Sequence, residues 1–155
     1  MEADVDAIYQ VLAANAADTS LFQQSPRRIR RDLNDFIIAT EATRTLGCAA
    51  LHRHTPTNAE ILAVAVAPSA QGHGVGTILM QACLANATNP NTVIWLATQK
   101  PAYFARHGFH PISKWQLPPT AILRKLTLVF EQPRNRWLPA LFGRHTFMRF
   151  APSSE

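Results

Sequence analysis

The stretch from Val64 to Leu84, VAVAPSAQGHGVGTILMQACL, constrains this chain more than any other. An apolar run and a proline lead into three glycines at alternate positions, Gly72, Gly74 and Gly76, and a helical pattern follows at once. A helix N-terminus presents unpaired N–H donors and the positive end of its dipole, so it attracts anions. Glycines let a backbone approach a phosphate closely and adopt positive φ. QGHGVG directly after a strand therefore reads as a pyrophosphate cradle, or else as a tight strand-to-helix connection with no ligand. A P-loop would need a Lys-Ser/Thr pair after its last glycine, and Gly76 is followed by Thr77 and Ile78. A dinucleotide fingerprint would space its glycines differently and place an acidic residue about 20 positions on, and neither holds.

The 155 residues are expected to form one domain, 1–155. With 47% hydrophobic and 16% charged residues, the composition suits a globule and excludes a disordered chain. The longest apolar run, ILAVAVA, is too short to cross a bilayer. Glu2, Asp4 and Asp6 near the N-terminus do not read as a secretory signal. Cys48 and Cys83 fall in a predicted strand and a predicted helix, as reduced, buried residues of a cytoplasmic protein. The net charge of +5 comes from RRIRR (Arg27 to Arg31) and from Arg134, Arg136, Arg144 and Arg149. That charge is compatible with nucleic acid, with a phosphate-rich cofactor or with an acidic substrate.

Helical spacing from Val5 to Ala16 follows a plausible N-cap at Asp4. Ser25 and Pro26 open a second short helix, PRRIRRDL, whose arginines form a solvated face. FIIATEA and LGCAALHRH read as strands joined by a turn at Thr43 to Thr45, and AEILAVAV and TVIWLAT as central strands. A helix over Gly74 to Ala87 is expected to bury Ile78, Leu79, Cys83 and Leu84. PAYFARH is a short helix closed by Gly108, followed by a strand at FHPIS. A helix from Pro118 to about Val129 and a final strand, HTFMRF, complete the order α-α-β-β-β-α-β-α-β-α-β. Between those two lies a proline-broken segment with Trp137, Leu141 and Phe142, either core padding or an exposed contact. The class is α/β (α+β), with a mixed sheet of about six strands flanked by helices.

VAVAPSAQGHGVGTILM resembles motif A of the GNAT family of N-acetyltransferases, and YFARHGFHPI resembles the same family's motif B. With LGCAAL upstream, the likeness covers about residues 4 to 130. Within the family, GCAAL, the glutamate of AEILAVAVAP, YFARHGF and LPPTAILRK are most similar to the acetyltransferase domain of bacterial N-acetylglutamate synthases. The resemblance implies a GNAT fold and acetyl-CoA as cosubstrate, with no metal. Backbone groups of Val64, Ala65 and Val66 would pair with the pantetheine arm. Gln71, Gly72, His73, Gly74, Val75, Gly76 and Thr77 would hold the pyrophosphate, and Phe104 would line the same site. The reaction is attack of a neutral amine on the thioester, with a backbone N–H on a splayed strand steadying the oxyanion.

A protonated amine cannot attack, so a base near the incoming nitrogen helps. The resemblance puts a catalytic glutamate at Glu60, and strand alternation sets it on one face with Leu62 and Val64. An ordinary strand-end carboxylate is the bland alternative. Many relatives carry a tyrosine four residues before Gly108 that reprotonates the CoA thiolate. Here that position is Phe104, and the adjacent Tyr103, about 100° around the helix, is expected to point elsewhere. CoA then leaves as a thiolate, with Thr98 orienting the thiolate or the substrate. Where the synthases carry basic residues for the glutamate carboxylates, this chain has Gln23 and Gln24. Arg27, Arg28, Arg30, His52 and Lys100 stand nearby as clamps or as solvated charges. His52 and His54 share a strand face, but no third ligand points to a metal. The expected partners are acetyl-CoA and a small amine, best the α-amine of a free amino acid such as glutamate, with neither membrane nor nucleic acid and with room for a homodimer. A protein or peptide acetyltransferase and a non-catalytic acyl-CoA-binding regulator stay open beside it.

Overall fold

The structure, a computed structural model, describes residues 2–15, 17, 24–117 and 145–151. The helix expected from Pro118, the Trp137 to Phe142 segment and Gln23 lie outside the described residues. Helix α1 spans Glu2–Ala14 and buries Val5, Ile8, Val11 and Leu12, one stripe at helical spacing. It begins earlier than expected. Asp4 is not its cap but lies in the first turn with Glu2, where carboxylates meet the positive end of the helix dipole. Helix α2 spans Pro26–Arg31 and is capped as the sequence predicts, the Ser25 hydroxyl accepting from the Arg28 N–H at 3.3 Å. Its arginines are not all solvated. Arg27, Arg30 and Arg31 are exposed, but Arg28 is buried on the inner face, with its Nε 3.7 Å from Asp32.

Six strands form one mixed sheet: β1 (Phe36–Glu41), β2 (Arg44–Thr55), β3 (Asn58–Val66), β4 (Val93–Thr98), β5 (Phe109–Ile112) and β6 (Thr146–Phe150), in the spatial order β1-β2-β3-β4-β6-β5. Only β3 and β4 run parallel, joined by the crossover helix α3 (Val75–Asn86). The short helix α4 (Pro101–Ala105) leads from β4 into β5, and Gly108 takes φ +81° where the chain turns into the strand. Two cores sandwich the sheet. On one face α3 packs Val75, Leu79, Met80 and Cys83 against Ala49, Leu51, Ile61, Ile94 and Leu96. On the other, α1 and α2 cover Cys48, Ala63 and Ala65. Ile78 departs from expectation. It is 60% exposed on the flank of α3, and Met80 takes the inward place beside Leu79.

Strand β3 carries one extra residue relative to β2. Cys48 pairs with Ala65 while Ala50 pairs with Leu62, so two steps on β2 oppose three on β3. Ala63 absorbs the mismatch at φ +55°, left-handed backbone that a residue with a Cβ seldom adopts. This bulge breaks the alternation assumed from the sequence. Leu62 stays on the α1/α2 face that Glu60 shares, but Val64 and Val66 turn to the α3 face.

Candidate active site

Strands β3 and β4 pair only at Asn58–Val93, Ala59–Ile94 and Glu60–Trp95. Beyond Glu60 they part, and the gap opens into a slot of about 550 Å³ between residues 60–66 of β3 and 96–98 of β4. Two parallel strands that separate leave ladder donors and acceptors facing each other across a space. An extended ligand can take the place of the missing strand. Of the three central residues expected to contact a cofactor there, Val64, Ala65 and Val66 all line the slot. The Val66 carbonyl is already engaged by Asn15 Nδ2 and Gln71 Nε2, each at 3.1 Å. Asn15, at the end of α1, was not singled out from the sequence. Only the tertiary fold brings it to the slot.

At one end the slot meets the N-terminus of α3. Gly74 caps that helix at φ +81° and Gly72 sits at φ +80°, conformations that disfavour any residue with a Cβ. Apart from each glycine's own chain neighbours, no atom of the described residues lies within 4 Å of where a Cβ would stand on either one, so the space above them is open. Glycine is needed there for backbone conformation, and the open space fits a phosphate group approaching the amides. Gly72, Gly74, Val75, Gly76 and Thr77 line the slot, as does Gln71. The His73 side chain does not. It turns back so that its Nδ1 is 2.8 Å from the Gln71 carbonyl, leaving His73 its backbone amide as a contribution.

Helix α4 supplies the opposite wall. Phe104 lines the slot as expected, its ring edge-on to Tyr103 at 5.0 Å. The expectation that Tyr103 points elsewhere fails: Tyr103 also lines the slot, and its hydroxyl occupies the place where a Cβ on Gly76 would stand. A residue 100° from Phe104 can still reach the slot because the slot wraps around the end of α4 towards α3. Burial pushes the Tyr103 hydroxyl pKa up, opposed by the positive charge of Arg106, whose guanidinium carbon lies 5.4 Å from the ring centre. Arg106 itself lines the slot and is the cation that sequence reading passed over.

Where the strands part, Glu60 and Thr98 are both buried and both line the slot. The Thr98 hydroxyl accepts from the Lys100 backbone N–H at 2.9 Å, fixing the turn into α4 and keeping its own proton available to donate. Glu60 Oε2 lies 3.1 Å from His54 Nε2. Gln24, ahead of α2, is buried at the slot, and its Oε1 has no hydrogen-bond partner among the described residues. Lys100 lines the slot, whereas Arg27, Arg28, Arg30 and His52 do not. His52 is held by Asp35, its Nδ1 2.5 Å from Oδ2. Among the described residues no three His, Cys, Asp or Glu side chains come together to hold a metal ion. Nor is any described helix long and apolar enough to cross a membrane. Cys48 and Cys83 are free and buried, with thiol pKa values pushed up to about 12 by burial.

This parted-strand slot with a glycine-rich helix start is matched by a family model, described as the acetyltransferase (GNAT) family, over residues 5–110. The chain belongs to that family. An N-acetyltransferase of Chlorobaculum tepidum, itself uncharacterized, is 26% identical over 117 residues, 75% of this chain and 76% of the relative. An amino-acid acetyltransferase of Ralstonia nicotianae is 29% identical over 109 residues, which cover 68% of this chain but only 24% of that longer protein. Among solved structures, the N-acetylglutamate synthase of Neisseria gonorrhoeae, in complex with coenzyme A and N-acetyl-glutamate, superposes with a TM-score of 0.78 at 20% identity. That match covers 95% of this chain and 32% of the synthase. The six-stranded mixed sheet is therefore the GNAT fold, and the likeness to the synthase domain first read from the motifs reappears in three dimensions. The protein is an N-acetyltransferase with acetyl-CoA as its cosubstrate.

Proposed function

We propose that this acetyltransferase acetylates the α-amine of a free amino acid, with glutamate as the leading acceptor and Glu60 as the general base. The observation that carries this reading is the position of Glu60: a buried carboxylate at the point where β3 and β4 separate, opening onto the slot. Acetyl-CoA supplies a thioester carbonyl already activated towards attack. Gly72 to Thr77 hold its pyrophosphate with backbone amides, aided by the charge of Arg106, and the open edge of β3 from Val64 to Val66 takes the pantetheine arm.

Glu60 accepts a proton from the incoming ammonium, and the freed nitrogen lone pair forms the C–N bond as the C–S bond breaks. The second N–H proton, shed on amide formation, passes to the departing thiolate or to solvent. A backbone N–H on the freed edge of β3 steadies the developing oxyanion. Thr98 accepts from the Lys100 N–H, which leaves its hydroxyl proton free to donate towards the departing sulfur or the acceptor. On the acceptor side Lys100 offers a cation to a carboxylate, and Gln24 Oε1 offers an acceptor to an N–H. The sequence likeness to an amino-acid acetyltransferase supports this choice over a polyamine, which calls for an acidic acceptor site. Two buried thiols suit a reducing compartment, and the reading is of a cytoplasmic enzyme.

Thiol release from acetyl-CoA in the presence of each of the twenty amino acids, of polyamines and of short peptides tests the acceptor class. Glutamate or aspartate as clear best substrate supports the reading. Selective turnover of a cationic amine overturns it, and acetyl-CoA binding without turnover across the panel favours a regulator. Glu60→Gln is expected to lower turnover about 10²-fold or more while acetyl-CoA affinity stays within a factor of two or three.

A further inference from the structure

Outside the cofactor slot, titratable side chains concentrate one strand over from Glu60. His52 pairs with Glu60 across the β2–β3 ladder, and His54, at the register shift between Arg53 and Thr55, lies beside it with the two rings 5.0 Å apart. The His54 and Glu60 side chains are each 3% exposed, and their facing atoms, Nε2 and Oε2, are 3.1 Å apart. The His54 ring is clamped: it stacks on Trp95 at 5.6 Å and 20°, while the His52 ring meets it edge-on at 5.0 Å and 89°. Each clamp is itself fixed. Trp95 Nε1 donates to Asn58 Oδ1 at 2.9 Å, and His52 is held by Asp35 on the turn before β1. A rotamer locked from both sides leaves one ring nitrogen aimed at one carboxylate oxygen.

We infer that His54 is a positioning residue for Glu60: its Nε2–H holds the carboxylate at the mouth of the slot and keeps it ionised, ready to accept the ammonium proton. The inference rests on the proposed role of Glu60 as base. A buried carboxylate with no donor resists ionisation, because the charged form loses its hydration. A hydrogen bond to the charged form reverses that preference. Among the described residues, Asp35 is held by His52, Arg28 on α2 stands against Asp32, and Lys100 is exposed at the slot. Trp95, paired with Glu60 across the sheet, and Thr98 and Gln24, which line the slot with it, are uncharged. When Glu60 takes the substrate's proton, its other oxygen still accepts from His54, so the carboxyl does not swing away between turnovers.

The test reads Glu60 directly and needs no acceptor. Protein labelled with ¹³C at the glutamate side-chain carboxyl gives five signals, one per glutamate, and Glu60→Gln assigns the relevant one. In His54→Phe, which keeps a flat ring against Trp95 but has no donor, the titration midpoint of that signal is expected to move up by about one pH unit or more. His54→Gln, which restores an N–H donor, should return most of the shift. The low-pH limb of kcat/KM, measured with acetyl-CoA and L-glutamate, should follow in the same order. A midpoint in His54→Phe within about 0.3 units of wild type, relative to the shift expected from a lost charged hydrogen bond, overturns the inference. Where the phenylalanine variant does not fold, His54→Ala replaces it under the same criterion. Loss of activity in Glu60→Gln with an unmoved midpoint in His54→Phe removes His54 alone. Full activity in Glu60→Gln removes the base, and this inference with it.

Discussion

Tyr103 and Gly76 make a contact that can be weighed. Gly76 lies in the first turn of α3 with ordinary helical backbone, unlike Gly72, Gly74 and Gly108, so alanine fits its conformation without strain. What forbids alanine is the Tyr103 hydroxyl, which fills the Cβ position, whereas the next ring atom, Cζ, stands at 3.4 Å, ordinary van der Waals contact. Gly76→Ala alone must therefore push the Tyr103 hydroxyl off its seat near Phe104, His107 and Arg106. The atom that moves is the tip of a partly exposed side chain, so the cost is at the low end of overpacking, about 1 kcal/mol. In a Tyr103→Phe background the obstacle is gone, and the same substitution gains up to about 1 kcal/mol from the better helix propensity of alanine. The two changes should then couple by about 1 kcal/mol. For a chain of this size that is a difference of about 2–4 °C between the melting shift of Gly76→Ala in one background and in the other. Thermal and urea melts of the wild type, both single variants and the double variant measure it. Equal shifts in the two backgrounds would refute the placement of Tyr103 over α3 and return it to the outward orientation expected from the sequence.

Gly74→Val places a β-branched residue at φ +81° and costs folding about 1–2 kcal/mol. Its side chain also enters the open space above the helix start, so calorimetry should find acetyl-CoA bound at least tenfold more weakly, and affinity near wild type would show that the phosphates lie elsewhere. Cys48 and Cys83 hold their protons in the folded state to about pH 12, while in the unfolded chain they ionise from about pH 9. Their raised pKa values therefore contribute stability that is complete below pH 9 and lost as pH rises towards 12, by about 1.4 kcal/mol per thiol per unit. Urea midpoints at pH 8 and pH 10.5, compared with a Cys48→Ala, Cys83→Ala double variant, should show the wild type falling more steeply, and equal slopes would count against burial as the cause.

The sequence revealed whatever depends on neighbours along the chain. The helix start at Gly74 and the Ser25 cap follow from residues within four positions of one another and lie where local chemistry put them. The β1–β2 turn instead falls at Ala42 and Thr43, with Arg44 and Thr45 already paired in β2 rather than in the turn expected at Thr43 to Thr45. Glu60 was singled out by the family resemblance, and the structure buries it as the third residue of β3, at the mouth of the slot. What local reading missed lies across the sheet. The insertion of β6 between β4 and β5 comes from a segment some 35 residues distant, and nothing in HTFMRF says which edge it joins. Asn15 and Arg106 reach the slot from helices whose own periodicity points to nothing but solvent or core. From the sequence His54 is only a second histidine on the strand face of His52, with no third ligand to suggest a metal; the pairing of β2 with β3 brings it beside Glu60.

The bulge at Ala63 explains why one strand can serve both substrates. Without it, strict alternation would put Glu60, Leu62, Val64 and Val66 on a single face, and the residues beside the base would crowd the same space as those beside the glycine turn. The extra residue turns Val64 and Val66 into the α3 core, while Glu60 and Leu62 stay on the α1/α2 face with His54. It also bends the strand just past the last pair with β4, and that is where the slot opens. Alanine suits the position: it keeps a Cβ small enough to tolerate φ +55° and stays buried against α1 and α2. The proposed base and the cofactor wall thus come from nine consecutive residues of β3, separated by one backbone irregularity that the apolar run ILAVAV conceals.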